Sequence, residues 1–242
     1  MTSEEILARM LTHLTDKFKN ALILKGGILL RLLNCPRSTQ DLDYVWVRSK
    51  KRKLLGDEIQ KALEEIAGLE VTDVQTNSRG VFVEVQDRAG GQKAKVEVQI
   101  VAATRLPARP LSSAPLTRPY ALPTRIVATM DLAEAFSHKI AASLERNLVR
   151  DLYDLTQLEP LSPFDPDTLK DRLSRLEIGR SKARKVEIAE AANRLVEKAE
   201  RLSRDKIEAE LSGQIPADQL PGLDLLIRAA VSRIARRMES IQ

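Results

Sequence analysis

The sequence predicts an α+β fold: a mixed β-sheet with flanking helices, followed by an all-helical C-terminal domain. Three observations predict it. Strand-like runs cluster between residues 21 and 100, interleaved with helical patterns. From Met130 onward the apolar spacing is helical alone. Between these parts, Pro107, Pro110, Pro115, Pro119 and Pro123 punctuate the stretch from Ala102 to Thr124. That stretch reads as an extended connector, too long for a casual loop. The expected domains are therefore 1–125 and 126–242, with the connector also able to wrap over a site.

The elements follow in order. Residues 4–19 place Ile6, Leu7, Met10, Leu11 and Leu14 at helical spacing. Ala21 to Leu24 reads as a strand, Gly27 to Leu33 as a short helix, and Tyr44 to Val47 as a second strand. Lys53 to Ala67 reads as a helix with Leu54, Leu55, Ile59, Leu63 and Ile66 on one face. Strands follow at 69–75, 81–85 and 95–100, the last two joined through a Gly90-Gly91 turn as an antiparallel hairpin. The C-terminal half should hold one helix over about 131–158, a shorter one at about 167–177, a long charged one at about 181–211 and a last one at about 223–240. The alanine-rich, charged segment 183–211 is a candidate interaction arm.

Composition bounds the function. With 43% hydrophobic and 30% charged residues the 242-residue chain reads as soluble and globular, and only 3% aromatics leave the core to Leu, Ile, Val and Ala. No apolar run approaches a membrane span, and the acidic N-terminus Met1-Thr2-Ser3-Glu4-Glu5 lacks a signal-peptide pattern. The single cysteine, Cys35, excludes an internal disulfide or a Cys-rich zinc site, and two histidines are too few for a His-based one. These features point to the cytoplasm. The net charge of +5 is compatible with a nucleic-acid partner. Arg48, Lys50, Lys51, Arg52 and Lys53 form a basic block, and Arg180, Lys182, Arg184, Lys185, Arg194, Lys198, Arg201 and Arg204 form a second basic set. Solvated helix faces explain such runs equally well.

Asp41 and Asp43 carry the chemistry. On a strand, D-x-D points both carboxylates to one sheet face. Two such groups suit a hard divalent cation, Mg²⁺ or Mn²⁺, which leans on substrate phosphates. About fifteen residues upstream, Lys25-Gly26-Gly27 forms a glycine turn opening a helix, whose backbone N–H groups can meet a phosphate. Together they suggest handling of a nucleoside triphosphate (NTP). Glu97 is the candidate third carboxylate, with Glu84 competing for that role.

A continuous helix from about 131 to 158 would place Arg146 about 20° to one side of Lys139 and Arg150 about 20° to the other, with Asp154 about 60° away. Leu144, Leu148, Leu152 and Leu155 would line the opposite side. Three cations on one face repel unless an anion lies among them. Asp154 could fix one of these cations or position an acceptor hydroxyl.

Lys25-Gly26-Gly27 with Asp41-Leu42-Asp43 resembles the first motif of the AbiEii type of nucleotidyltransferase toxins, which include the MenT proteins. Lys139, followed by the Arg150-Asp151-Leu152-Tyr153-Asp154-Leu155 run, resembles the second signature. The resemblance covers roughly residues 20–158, with a helical tail to match. It implies a minimal nucleotidyltransferase-like sheet, and a toxin held in check by a cognate antitoxin. It implies transfer of a nucleotide, often a pyrimidine, from an NTP to the 3′ end of tRNA, blocking translation. By the motif match Asp41 and Asp43 hold the metal, Lys139 contacts phosphate and Asp154 completes the site. Lys25, Gly26, Gly27, Arg146 and Arg150 would bind nucleotide, and Thr39 or Ser38 stands where some members are phosphorylated for neutralisation. One departure is Ile28, where the family usually has Ser or Thr after the second glycine. Ile28 supports one alternative to tRNA transfer, a non-catalytic relative that binds RNA or an antitoxin, and a second keeps the chemistry but changes the acceptor, with nucleotidyl transfer to a protein.

Overall fold

The computed structural model describes residues 1–47, 51–176 and 185–241. They fall into two compact units, Met1–Asp131 and Leu132–Gln242.

The first unit is a mixed sheet with helices. Its elements in chain order are α1 (Ser3–Phe18), β1 (Leu22–Lys25), α2 (Gly26–Leu32), β2 (Asp41–Trp46), α3 (Arg52–Glu64), β3 (Leu69–Thr76), β4 (Val81–Asp87), β5 (Lys93–Ile100), β6 (Arg109–Ser112), α4 (Ala114–Thr117) and β7 (Ile126–Thr129). The seven strands lie in the order β3-β4-β5-β2-β1-β7-β6. β2 with β5 and β1 with β7 are parallel, and the other pairs are antiparallel.

Alternation gives the sheet two unlike faces. Leu24, Tyr44, Val98 and Val81 sit opposite one another across β1, β2, β5 and β4, and Leu42, Val96 and Val83 form the adjacent row. All are buried in one cluster with Ile6, Leu7, Met10, Leu11 and Leu14 of α1 and Leu55, Ile59 and Leu63 of α3. α1 starts where Thr2 Oγ1 accepts from the Glu5 backbone N–H at 3.1 Å, an N-cap that satisfies one orphan donor. A β-bulge between Val71 and Asp73 shifts the parity of β3. Val71 and Val74 thus both pack on the core, while Asp73 and Gln75 go to the other, polar face.

The stretch 102–124 differs from the extended connector expected of it. Its prolines tolerate an edge strand, and Pro110 sits within β6, the last strand of the sheet. β6 and β7 form an antiparallel pair around α4, closed where Ser113 Oγ accepts from the Arg125 backbone N–H at 2.8 Å. β7 was missed because four residues carry too little period-two signal.

The second unit is helical: α5 (Leu132–Glu145), α6 (Val149–Leu158), α7 (Pro166–Leu173), α8 (Ile188–Glu200), α9 (Arg204–Leu211) and α10 (Leu223–Glu239). Two expected helices are broken. The helix expected over 131–158 stops at Glu145 and restarts at Val149. The charged helix expected over 181–211 divides into α8 and α9, where Ser203 N-caps α9 through the Lys206 N–H. Residues 177–184 lie outside the described residues. The arm expected at 183–211 is packed structure in its described part: Ala191, Ala192, Leu195 and Ala199 of α8 are buried, and α8 packs on α10.

Candidate active site

The polar face of the sheet gathers the first group of candidates. One row across the strands reads Gln75, Phe82, Glu97, Asp43 and Lys25 from β3 to β1. The row beside it reads Asp73, Glu84, Lys95 and Asp41. Asp41 and Asp43 thus share a face, and Glu97 is the direct neighbour of Asp43. Glu84 lies one strand further out and pairs with Lys95 at 2.9 Å. Of the two competing glutamates, Glu97 is the one beside the D-x-D pair.

This arrangement has an electrostatic signature. The Glu97 carboxyl is pushed above its ordinary value, first by burial and then by the like charges of Asp43 and Asp41. The Lys95 ammonium is held above its ordinary value by its hydrogen bond to Glu84, with Asp41 and Glu97 adding to it. Lys25 extends along the same face, its Nζ donating to Gln99 Oε1 at 3.0 Å.

The glycine turn is locked to this group. Gly26 has φ +72°, and a Cβ there would lie 1.9 Å from Asp43 Oδ2. The Asp43 carboxylate therefore fills the space that Gly26 leaves empty. A Cβ on Gly27 would lie 3.0 Å from Thr39 Oγ1 and 3.2 Å from a terminal guanidinium nitrogen of Arg37. Thr39 is thus packed against the turn, while Ser38 is exposed. Ile28 is fully buried and belongs to the hydrophobic core. Its side chain supports α2 from below.

The second group of candidates lies in the helical unit, and its geometry corrects the single-helix reading. Because the helix breaks at residues 146–148, Lys139, Arg146 and Arg150 do not stack on one continuous face. Lys139 Nζ sits 2.5 Å from Asp154 Oδ2 and 3.5 Å from Asp151 Oδ1. Arg146 grips Asp151 with both prongs, Nε to Oδ2 at 2.7 Å and a terminal nitrogen to Oδ1 at 2.8 Å. Asp151 and Asp154 are fully buried, so these ion pairs are needed to keep the charges inside. Two cations meet two anions, so the group is neutral overall. Arg150 is half-buried on α6 and is not part of it.

Two side chains hold the break open: Lys198, which the sequence offered only as one of a basic set, and Glu210, which it did not single out. Lys198 of α8 donates to the carbonyls of Ser143 and Arg146 at the end of α5. Glu210 of α9 accepts from the Val149 N–H at 2.8 Å, at the first turn of α6. A cation at a helix C-terminus and an anion at an N-terminus complement the helix dipoles. Asp151 was visible in the motif, but only the break makes it the hub.

The basic segments look different in three dimensions. Arg48, Lys50, Arg180, Lys182 and Arg184 lie outside the described residues. Lys51, Arg52 and Lys53 are exposed at the start of α3. Further on, Arg194 pairs with Glu190, Arg201 with Glu197, and Lys198 is spent on carbonyls.

Among the described residues, no three His, Cys, Asp or Glu side chains form a ready-made metal cage. Nor is any helix long and apolar enough to cross a membrane.

Comparison with known proteins bears on the family and the fold. The family model for the nucleotidyl transferase AbiEii toxin of type IV toxin–antitoxin systems matches residues 9–229. Among solved structures the chain is similar to MenT4, a nucleotidyltransferase toxin from Mycobacterium tuberculosis, at 20% identity and a TM-score of 0.59, covering 99% of this chain and 84% of that one. It is also similar to JHP933 from Helicobacter pylori, at 16% identity and a TM-score of 0.54, covering 98% and 92%. At such identities the structural likeness speaks for the fold. No curated protein matches the chain.

Proposed function

The chain belongs to the AbiEii family of nucleotidyltransferase toxins of type IV toxin–antitoxin systems, and on that footing we propose that it transfers a nucleotide from an NTP to the 3′ end of tRNA. The observation that supports this most is the row Lys25–Asp43–Glu97 with Asp41 beside it. The pyrimidine preference and the tRNA acceptor come from the family resemblance. So does the cognate antitoxin as the partner that restrains the enzyme.

Asp41, Asp43 and Glu97 would hold Mg²⁺ or Mn²⁺. The fit rests on charge, since Glu97 is raised in part by its two acidic neighbours, and a cation relieves that repulsion. A closed cage is not required, because Mg²⁺ keeps waters and shares substrate phosphates. When bound, such an ion neutralises phosphate oxygens and makes an acceptor hydroxyl easier to deprotonate. The residues of the chain do the rest. Lys25 and the Gly26–Gly27 turn bind phosphate. The acceptor oxygen forms its bond to the α-phosphorus, the bond to the β-phosphate oxygen breaks in line, and pyrophosphate departs. By the family resemblance Lys139, paired with Asp154, would contact phosphate. Arg146 can bind nucleotide only in competition with its hold on Asp151, while Arg150 carries no such ion pair among the described residues. Positioning and fixed charge of this kind supply most of the catalysis in phosphoryl-type transfer.

Ile28 fits the active reading. It is spent on the core, so the departure removes a hydroxyl from the turn and leaves the glycines Gly26 and Gly27 in place. Thr39 is the proposed regulatory site, with exposed Ser38 as the neighbour that could substitute. A phosphate on Thr39 would add about two negative charges next to the glycine turn and the acids, repelling substrate.

The test is to incubate the protein with Mg²⁺, total tRNA and each of the four labelled NTPs in turn, with an EDTA control. Label on tRNA, lost with EDTA, supports the proposal and names the nucleotide. Label on a protein band moves the acceptor to protein, and no label from a folded enzyme removes the reaction.

A further inference from the structure

We propose that the cleft beside Glu97 is a stacking subsite for the unpaired 3′-terminal nucleotide of an RNA acceptor, with Phe82 as its platform. The inference rests on the nucleotidyl-transfer reading above. The cleft has a volume of 300 Å³ and is lined by Asp73, Gln75, Asn77, Arg79, Phe82 and Glu84, ending at Lys95 and Glu97. All of it belongs to the sheet unit.

Phe82 is out of place as a core residue. The chain has few aromatics, and the other two in described strands, Tyr44 and Trp46, point into the core. Phe82 lies instead on the polar face, half-buried, directly opposite Glu97 on β5 and Gln75 on β3. Cross-strand packing accounts for some of its stabilising value. It does not account for an aromatic ring set among acids beside the carboxylate row.

The row also has a direction. Lys25 and the glycine turn lie on the β1 side of Asp43, and Glu97 and Phe82 lie on the other. The side with a lysine and a glycine turn suits the triphosphate. The Phe82 side carries Asp73, Glu84 and Glu97 against Lys95, already paired with Glu84, and Arg79 at the rim, a lining less suited to a second polyphosphate. The acceptor then approaches over β4 and β5. Phe82 stands roughly 5 Å from Glu97 and roughly 10 Å from Asp43, one and two strand spacings. A terminal ribose with its hydroxyl at the acids would thus place its base over the Phe82 ring. Single-stranded bases commonly stack on such aromatics.

One cation stands at the rim. Arg79 is exposed in the β3–β4 turn, its backbone N–H bound to Asn77 Oδ1 at 2.8 Å. The turn is seated tightly, since a Cβ on Gly80 would lie 2.1 Å from the Val98 carbonyl oxygen. Arg79 is thus available for the phosphate that precedes the terminal nucleotide.

The test uses the full chain and a fluorescent single-stranded RNA with a free 3′ end, followed by anisotropy without NTP. Phe82→Leu should weaken RNA binding roughly tenfold or more, and Phe82→Trp should bind close to wild type. In the transfer assay F82L should raise KM for RNA and leave KM for NTP unchanged. A merely structural Phe82 would lower thermal stability without that split. F82L binding RNA like wild type, or a wild type that binds no RNA, overturns the proposal. A rise in KM for NTP alone also overturns it, by giving the cleft to the donor base. RNA binding that depends on Phe82 without any nucleotide transfer would sustain the subsite and sink the reaction.

Discussion

Gly26 and Asp43 compete for the same space, and that competition explains the pairing of the two short motifs. The added Cβ would lie 1.9 Å from Asp43 Oδ2, and the φ of +72° is strained for any other residue. Gly26→Ala should therefore abolish nucleotide transfer by displacing the carboxylate, which a turnover assay beside a circular-dichroism check would read. Ile28 illustrates the opposite relation. It departs from the family pattern, yet it is wholly buried in the core. Truncation to Ala should cost about 2–5 kcal/mol of stability, measured by denaturant unfolding. Asp151 is the third telling residue, fully buried and shared between Arg146 and Lys139. Replacing it with Ala should cost about 2 kcal/mol, the loss of charged hydrogen bonds, since Lys139 keeps Asp154 and exposed Arg146 can turn to water.

At the scale of elements, the sequence announces the sheet unit better than the helical one. Residues 81–87 and 93–100 alternate, as does Asp41-Leu42-Asp43-Tyr44 at the start of β2, so these strands and the shared face of Asp41 and Asp43 were legible. Their register was not, and it is register that sets Glu97 rather than Glu84 beside Asp43. The short strands β6 and β7 were hidden by prolines and brevity. The break between α5 and α6 was hidden because Arg146-Asn147-Leu148 carries no proline or glycine. What stops the helix is tertiary: Lys198 and Glu210 reach in from α8 and α9 to satisfy the freed backbone groups. α7, by contrast, has a local start signal in Asp165, whose side chain accepts from the Thr168 N–H at 2.7 Å. That bond holds the Asp165 carboxyl below its ordinary value. A depressed carboxylate contributes stability that is present above the unfolded value and is lost as pH falls through the folded one. Asp165→Ala should cost about 1 kcal/mol near neutrality. The gap in Tm from wild type should close in acid, below the unfolded value of 3.8.

At the scale of the whole molecule, the +5 charge is distributed rather than pooled. In the described part of the basic C-terminal set, Arg194 and Arg201 pair within their own helix and Lys198 is spent on carbonyls, so the net charge alone does not outline an RNA surface. What organises the proposed site is instead one face of one sheet, where acids and a lysine line up on neighbouring strands. The most direct measurement compares label transfer to tRNA by wild type and by Asp41→Asn, Asp43→Asn and Glu97→Gln, each checked for an unchanged fold. The proposed site requires label from wild type and none above background from the two aspartate variants, with Glu97→Gln strongly impaired. Folded aspartate variants that transfer as well as wild type would contradict it.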